Sequence, residues 1–265
     1  MMKWFELGLV VLTFASGIIW LLDRLFFAKA RKARAGLLDD GREPVVVDYA
    51  RAFFPILLVV LVLRSFVAEP FRIPSSSMMP TLLIGDFILV NKFAYGLRLP
   101  VNNRKVVEIG LPERGDVVVF RPEQTPDQDW IKRVIGLPGD RIAYRDNVLY
   151  VNGEPSAYQA IGEYVGKGRG EEMSGATLLA EELEGGTRHE VLEIENPLYA
   201  NHGVGEWIVP EGEYFVMGDN RDRSDDSRFW GTLPESRLRG KAFLVWMNFD
   251  SAAGGVDFNR IGPRL

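Results

Sequence analysis

Residues Phe71–Leu82 read FRIPSSSMMPTL, with three consecutive serines between Pro74 and Met78-Met79-Pro80. The two prolines exclude a helix here, because proline lacks a backbone N–H and disfavours the helical conformation of the residue before it. The stretch therefore predicts an extended strand or loop. One of its serines is a candidate nucleophile, although a serine hydroxyl needs a base beside it to react. The alternative is a polar linker between an apolar anchor and a soluble domain.

Two apolar segments precede the serines. Leu7–Leu22 has sixteen residues without a charge, and Ala52–Leu63 extends its apolar character to Ala68. Both are near the minimum length that crosses a hydrocarbon core, and we expect two transmembrane helices rather than buried core helices. A cleaved signal peptide is the competing interpretation, because Ala28-Lys29-Ala30 has the A-x-A form. Two charged residues separate that site from the apolar run, so we expect the first span to be retained.

The charge between the two segments predicts their orientation. Residues 24–51 contain seven lysines and arginines, whereas the N-terminal tail contains only Lys3. Positively charged loops stay in the cytoplasm. The N-terminus and everything after about residue 69 are therefore expected on the outer side of the membrane.

Composition excludes several kinds of site. The 265 residues leave room for one or two domains, and a net charge of −5 does not favour nucleic acid as a partner. The absence of cysteine excludes disulfides, thiolate metal sites and a cysteine nucleophile. Only His189 and His202 are available as histidine bases.

Short β-branched and aromatic runs after the serines predict a mostly β outer domain without a long amphipathic helix. The runs are Phe87–Val90, Val117–Phe120, Trp130–Gly136, Val148–Val151, Trp207–Val209, Tyr214–Met217 and Ala242–Met247. Asn152-Gly153 predicts a hairpin after the fourth run. The last run is continuously apolar and predicts a buried closing strand. Residues 156–196 are rich in glycine and glutamate with weak periodicity, and we expect an inserted, mobile, loop-rich section with some strand pairing, remote from the chemistry.

Lys132 is the informative basic residue of the run WIKRVIG. In a strand, Lys132 and Arg133 point to opposite faces, so one can face a cleft while the other pairs on the far side. Apolar neighbours would exclude water from the amine and lower its pKa, which makes lysine a usable general base. The alternative is an ordinary strand lysine in water.

The polar stretch Gly218–Gly231, GDNRDRSDDSRFWG, has three interpretations. It is a solvated loop, a calcium loop, or a scaffold in which Asp226 and Arg228 form an ion pair. The order of ligands in a calcium loop is not met. A Ser-His mechanism is disfavoured as well, because neither His189 nor His202 lies in a motif. No metal or cofactor is predicted.

Three stretches together resemble a known family. They are IPSSSMMPTLLIGDFILVNKFAYG (73–96), WIKRVIGLPGD (130–140) and MGDNRDRSDDSRFWG (217–231). In order and spacing they are similar to the signature boxes of bacterial signal peptidase I, a Ser-Lys protease family, and the resemblance includes the two leading spans. It implies a membrane-anchored serine endopeptidase that removes signal peptides from translocated preproteins. The implied fold is mostly β, with coiled antiparallel sheets and an inserted loop-rich β lobe.

The resemblance also implies roles for single residues. By motif position Ser77 is the nucleophile and Lys132 the general base. Ser75 lends its hydroxyl to an oxyanion hole that includes the backbone N–H of Ser77. Ser224 orients the lysine, and the Asp226–Arg228 pair supports the site.

Two positions depart from the family pattern. Ser76 stands where relatives often have glycine, and Arg223 where many have asparagine. Neither change involves a proposed catalytic group.

Substrate recognition is expected to depend on apolar side chains around the nucleophile. These are Phe71, Ile73, Met78, Leu82, Ile88 and Ile131. Shallow pockets lined by such residues accept alanine-sized side chains at the −3 and −1 positions, which gives A-x-A specificity. An extended substrate adds as a strand beside Phe71–Ser75, and an exposed apolar face near the anchor is expected to contact lipid.

The predicted organisation has five parts. Residues 1–23 and 52–69 are transmembrane segments, 24–51 a cytoplasmic loop, 70–141 with 211–265 the catalytic β domain, and 142–210 the inserted lobe. The expected location is the bacterial inner membrane with the catalytic domain in the periplasm. Expected partners are preproteins, the lipid bilayer and the secretion translocon, without nucleic acid.

Two alternative functions remain open at this point. One is a non-catalytic, membrane-tethered peptide-binding protein on the same fold, and the other is a Ser-Lys protease with one dedicated substrate. Self-cleaving DNA-binding regulators use the same dyad, but they carry a helix-turn-helix region where this chain has two spans.

Overall fold

A computed structural model describes residues 2–34, 43–63, 68–99, 104–194, 202–263 and 265. Its contacts divide the chain into two compact units. The first comprises Met1–Ala68 and Arg98–Val106, and the second comprises Glu69–Leu97 and Val107–Leu265.

The first unit is built around apolar helices. They are α1 (Met2–Leu22), a π-helical turn (Asp23–Phe27), α2 (Ala28–Arg34) and α3 (Val45–Val62). Residues 7–31 and 45–62 are long and apolar enough to cross a membrane, by length and composition. The two long helices approach closely at Gly17, where an added Cβ would lie 2.6 Å from the ring of Phe54. A small residue at a helix contact permits this approach.

The predicted basic loop is partly helical. Helix α2 and the start of α3 both lie within residues 24–51. Residues 35–42 of that loop lie outside the described part of the chain, as do residues 64–67 of the second predicted span.

The rest of the structure is mainly β. The strands are β1 (Ala68–Arg72), β2 (Asp86–Asn91), β3 (Leu97–Arg98), β4 (Lys105–Val107), β5 (Val117–Phe120), β6 (Trp130–Gly136), β7 (Arg141–Arg145), β8 (Val148–Val151), β9 (Glu154–Pro155), β10 (Ala157–Glu163), β11 (Thr177–Glu182), β12 (Arg188–Glu193), β13 (Gly205–Ile208), β14 (Glu213–Met217), β15 (Leu233–Pro234), β16 (Leu238–Asp250) and β17 (Gly255–Val256). A short helix, α4 (Ser227–Trp230), follows β14.

The largest sheet has eight strands in the order β1-β2-β16-β5-β6-β14-β15, with β17 paired to β16. Strand β16 pairs antiparallel with both β2 and β5, and its register shifts twice against β2, between Ala242 and Leu244 and between Val245 and Met247. Such bulges bend a strand and increase its twist, so the sheet curls. The remaining sheets are β13-β7-β8-β9, β10-β11-β12 and the pair β3-β4. The predicted mostly β fold with a curled antiparallel sheet is confirmed.

Three predicted strands have the predicted bounds: Val117–Phe120, Trp130–Gly136 and Val148–Val151. The predicted hairpin after the third is also present, since β8 pairs antiparallel with β9. Asn152 and Gly153 connect them with φ of 56° and 92°. Two consecutive left-handed residues are typical of a two-residue hairpin turn.

The prediction of a buried closing strand at Ala242–Met247 is wrong. Strand β16 lies in the middle of the sheet and buries only one side. Ala242 and Val245 are buried, whereas Phe243 and Trp246 are 42% and 39% exposed. An antiparallel sheet that covers a core with one face leaves the other face open, even where both sides are apolar.

The expectation that residues 156–196 lie remote from the chemistry is wrong within the described part, which ends at residue 194 in this segment, whereas the expected strand pairing is present. Strands β10, β11 and β12 form a three-stranded antiparallel sheet, here called the inserted sheet, with one register shift between Ala160 and Gly162. Its last strand is not remote from the predicted site. The N–H of Leu192 donates to the carbonyl of Asp219 over 2.9 Å, and the N–H of Ile194 donates to the carboxylate of Asp222 over 2.7 Å.

Candidate active site

The loop that carries Ser77 is held from outside by the polar stretch Gly218–Gly231. The N–H of Asn220 donates to the carbonyl of Ser77 over 3.1 Å, and its side-chain amide donates to the carbonyl of Ser76 over 3.1 Å. Gly218 lies so close that an added Cβ would be 2.4 Å from the Ser77 carbonyl and 2.2 Å from the Ser224 hydroxyl. Only glycine allows this approach. The backbone of the candidate nucleophile is therefore fixed by a segment more than a hundred residues away in sequence.

Strand β6 brings Lys132 to Ser77. The Nζ atom of Lys132 donates a hydrogen bond to Oγ of Ser77 over 2.9 Å. Both residues are buried, with 4% of Lys132 and 8% of Ser77 exposed. Among the described residues, no carboxylate lies within ion-pair distance of this amine. The structure thus joins two sequence-predicted residues that are 55 positions apart.

Burial of the amine lowers the pKa of Lys132 from 10.5 to about 8. The carboxylates of Asp226, Asp225 and Asp219 act in the opposite direction, and the guanidinium of Arg228 adds to the lowering. Desolvation disfavours the ammonium form, so the amine can be neutral near physiological pH. A neutral amine 2.9 Å from a serine hydroxyl can accept its proton.

The two other predicted serines differ in burial. Ser75 is exposed, and its Oγ is 3.5 Å from Oγ of Ser77. Ser224 is buried against Gly218, and its hydroxyl is not hydrogen-bonded to the amine of Lys132 in this structure.

The Asp226–Arg228 ion pair suggested by the sequence is formed, and it is fully buried. Nε of Arg228 donates to Asp226 over 2.8 Å, and Nη2 donates to the other carboxylate oxygen over 2.9 Å. Although burial opposes ionisation, the charge of Arg228 keeps the pKa of Asp226 below its usual value. The same carboxylate accepts the N–H of Gly218 over 3.0 Å. The pair therefore fixes the glycine that touches both Ser77 and Ser224.

The other face of β6 has a different arrangement. Arg133 donates to both carboxylate oxygens of Asp219, over 2.9 and 2.7 Å, and to the carbonyl of Gly115 over 2.8 Å. Asp219 also accepts from the hydroxyl of Thr81 over 2.5 Å. Sequence reasoning did not single out Asp219 or Asn220. The sequence feature that could have indicated them is their position at the start of the polar stretch, directly after a buried strand.

Neither histidine is the partner of Ser77. Nε2 of His189 lies 3.1 Å from the carboxylate of Glu181 and 3.7 Å from that of Asp219. The ring of His202 packs against Phe229 with centroids 4.8 Å apart. Among the described residues, the amine that donates a hydrogen bond to the Ser77 hydroxyl is that of Lys132.

The six predicted pocket residues share one core cluster. Ile73, Met78, Leu82, Ile88 and Ile131 are buried members, and Phe71 packs against it. They form an apolar layer beside the serine loop. Across the described residues, no group of three or more acidic, histidine or cysteine side chains is arranged to hold a metal ion.

The sequence profile of one family, described as signal peptidase, peptidase S26, matches residues 46–247. The chain belongs to the signal peptidase I family. Signal peptidase I of Pseudomonas fluorescens is 44% identical to it, over 97% of this chain and 98% of that protein. The Pseudomonas aeruginosa enzyme is 43% identical with the same coverage, and that of Buchnera aphidicola is 35% identical over 96% of each chain.

Membership shows that this signal peptidase is a serine endopeptidase, a hydrolase. The family removes signal peptides from preproteins and is membrane-associated, and the two apolar helices agree with that association. The resemblance drawn from the three sequence stretches is confirmed.

Proposed function

We propose that this signal peptidase cleaves preproteins after small residues at −1 and −3, with Ser77 as nucleophile and Lys132 as general base. One observation carries the proposal. A buried lysine amine without an ion-pair partner among the described residues is hydrogen-bonded to a serine hydroxyl over 2.9 Å. Buried lysines without a compensating charge are unfavourable for stability, which favours a chemical role for this one.

The proposed reaction uses this geometry. Neutral Nζ of Lys132 takes the proton of Ser77 Oγ as that oxygen attacks the scissile carbonyl carbon. The resulting ammonium donates the proton to the leaving amine, and the acyl group remains on Ser77 as an ester. The amine then activates a water molecule that hydrolyses the ester, which restores the serine hydroxyl.

The oxyanion is proposed to be bound by the N–H of Ser77 and the hydroxyl of Ser75. In the described part of the chain the Ser77 N–H donates to no other group. The exposed Ser75 hydroxyl lies 3.5 Å from the nucleophilic oxygen. Donors placed where negative charge develops are a main source of catalysis in acyl transfer.

The supporting residues act through the position of the polar stretch. We assign Asp226 and Arg228 to holding Gly218, since the carboxylate accepts its N–H. Ser224 is buried beside the same glycine. Its proposed role is to orient the lysine when the substrate is bound.

An extended substrate is proposed to pair with the edge of the large sheet beside Phe71–Ser75. Strand β1 is the edge strand of that sheet, and an edge strand offers unpaired backbone groups. The apolar layer of Ile73, Met78, Leu82, Ile88 and Ile131 lies beside the serine loop, and shallow pockets over it are proposed to accept small side chains only.

The proposed organisation anchors the enzyme by two spans at 1–23 and 52–69, with a cytoplasmic loop at 24–51. The catalytic β domain comprises 70–141 and 211–265, and 142–210 form the inserted lobe. The seven basic residues of 24–51 support a periplasmic catalytic domain. Partners in this arrangement are the bilayer and the secretion translocon.

The test uses a preprotein with an A-x-A site and the full chain in detergent. Wild type is expected to cut after the −1 alanine, and the variants Ser77→Ala and Lys132→Ala are both expected to fold normally. Lys132→Ala should lose about 10²–10⁴-fold in rate, and Ser77→Ala, which lacks the nucleophile, should lose cleavage. Lys167→Met, which alters an exposed lysine, is the control and should cleave as wild type does. Full activity in Lys132→Ala would contradict the assigned base, and full activity in Ser77→Ala would contradict the nucleophile.

A further inference from the structure

The segment Asp219–Asp222, here called the site loop, has the inserted sheet on one side and the nucleophile on the other. On the sheet side, Leu192 bridges Asn220 in parallel, and its N–H donates to the carbonyl of Asp219 over 2.9 Å. On the opposite side, Asn220 holds the carbonyls of Ser76 and Ser77. A shift of the site loop would therefore move the serine backbone.

A buried ion pair fixes the loop to the sheet. Arg221 has no exposed surface, and its guanidinium donates to both carboxylate oxygens of Glu181 on β11, with the Nη1 bond 3.1 Å long. Glu181 is equally buried, and it also accepts the hydroxyl of Tyr158 and lies 3.1 Å from Nε2 of His189. Although burial opposes ionisation, Arg221 and His189 hold the pKa of Glu181 well below its usual range. The carboxylate is thus charged at every pH at which a lysine base operates.

The backbone of Arg221 is tied to the supporting ion pair as well. Its carbonyl accepts Nη2 of Arg228 over 2.5 Å. Arg228 in turn pairs with Asp226, which holds Gly218. The site loop is therefore restrained on two sides, by the Asp226–Arg228 ion pair that follows it in sequence and by the inserted sheet.

We propose that Glu181 is a positioning residue of the peptidase, which acts through Arg221 and the site loop to orient Ser77 toward Lys132. This inference rests on the proposed roles of Ser77 and Lys132. It gives the inserted sheet a part in catalysis that the site residues alone do not show. Displacements of about 1 Å at a reacting group can cost on the order of 10²-fold in rate, so the restraint is large enough to matter.

The distinguishing measurement is the separation of kcat from KM. Glu181→Gln keeps the shape and removes the charge, which leaves Arg221 without its anion. We expect kcat to fall about 10–100-fold while KM stays within about twofold. The pH at which activity rises should not move, because the carboxylate positions the serine and does not act on the amine.

Two further variants separate positioning from stability. Glu181→Leu combined with Arg221→Met replaces the ion pair by apolar side chains, which commonly restores stability. The melting temperature should recover in this double variant, whereas kcat should remain low. Glu181→Asp, which keeps the charge at a shorter reach, should recover part of kcat.

Asp140→Asn is the matched control. Asp140 is a largely buried carboxylate that accepts from Arg114 and Asn152 over 3.0 and 2.9 Å and does not touch the site loop. It should lower the melting temperature and leave kcat unchanged.

The inference is overturned if Glu181→Gln has the kcat of wild type, or if the double variant recovers kcat together with its melting temperature. If Glu181→Gln does not fold, the double variant and Glu181→Asp decide between the same outcomes. An active Ser77→Ala variant would instead overturn the proposed nucleophile, whatever the Glu181 variants do.

Discussion

Lys132 and Arg133 are neighbours on strand β6, and their side chains lie on opposite faces of the sheet. A carboxylate faces one of these cations, and a neutral hydroxyl faces the other. Both are nearly fully buried, at 4% and 2% exposed. Arg133 is bound to both oxygens of Asp219 and to a backbone carbonyl. Lys132 makes one side-chain hydrogen bond within the described ranges, to the hydroxyl of Ser77. Equal burial therefore has different consequences on the two faces.

The difference follows from the chemistry of the two side chains. A guanidinium cannot lose its proton inside a protein, so it is stable in the interior only when an anion compensates it. An amine can lose its proton, and burial brings the pKa of Lys132 to about 8, since no carboxylate of the described segments pairs with it. Arg133 thus stabilises the fold on one face of β6, and on the other face Lys132 is the proposed base.

The largest expected change in stability comes from removing the buried ion pair between Arg133 and Asp219. Arg133→Met leaves the charge of Asp219 buried without its guanidinium. We expect the free energy of unfolding to fall by about 3–5 kcal/mol, measured by denaturant titration. Arg237→Met removes an exposed ion pair with Glu123 and is the control, with an expected loss below about 1 kcal/mol. Equal losses in the two variants would remove the distinction between the buried and the exposed pair.

Replacing Lys132, on the other face of β6, should raise the free energy of unfolding instead of lowering it. The pKa of Lys132 is about 8 in the folded chain and 10.5 when unperturbed, so the unfolded chain binds more protons between these values. Wild-type stability is therefore penalised below pH 8 and recovers as the pH rises from 8 to 10.5. We expect Lys132→Met to be more stable than wild type by about 2–3 kcal/mol at pH 7, measured by the same titration. A variant that is less stable at pH 7, or a difference that does not shrink at high pH, would show that the amine is not penalised.

The smallest expected effect comes from an exposed charge near the amine. The carboxylate of Asp225 raises the pKa of Lys132 against the effect of burial. Asp225→Asn should therefore move the rise of kcat/KM to lower pH, and Asp225→Glu should leave it in place. The shift is small because Asp225 is in contact with water. A shift to higher pH would contradict the assigned sign.

The strands of the β domain could be predicted from sequence where their own residues favour the extended conformation and turn residues mark their ends. The run Val117–Phe120 is β-branched and bounded by turn residues, and the structure has the strand with those bounds. Strands β11 and β12, TLLAEE and RHEVLE, consist largely of helix-favouring leucine, alanine and glutamate. Their strand state depends on pairing with each other and with Asp219 and Asn220, which no local pattern encodes.

The site could be predicted only in part. Spacing placed Lys132 and Arg133 on opposite faces, but the partner of each lies 55 and 86 residues away. The family resemblance supplied Ser77 as the partner of Lys132. It did not supply Glu181, because a glutamate in a polar segment resembles a solvated residue until its burial against Arg221 is known.

The pH dependence of kcat/KM on an A-x-A preprotein, between pH 6 and 9.5 with the chemical step limiting, tests the uncompensated lysine most directly. The predicted rate rises about tenfold per pH unit at low pH and levels off above an apparent pKa of about 8. A rate that is the same at pH 6 and pH 9, or an inflection near about 6.5 as for an unperturbed histidine, would contradict Lys132 as the base.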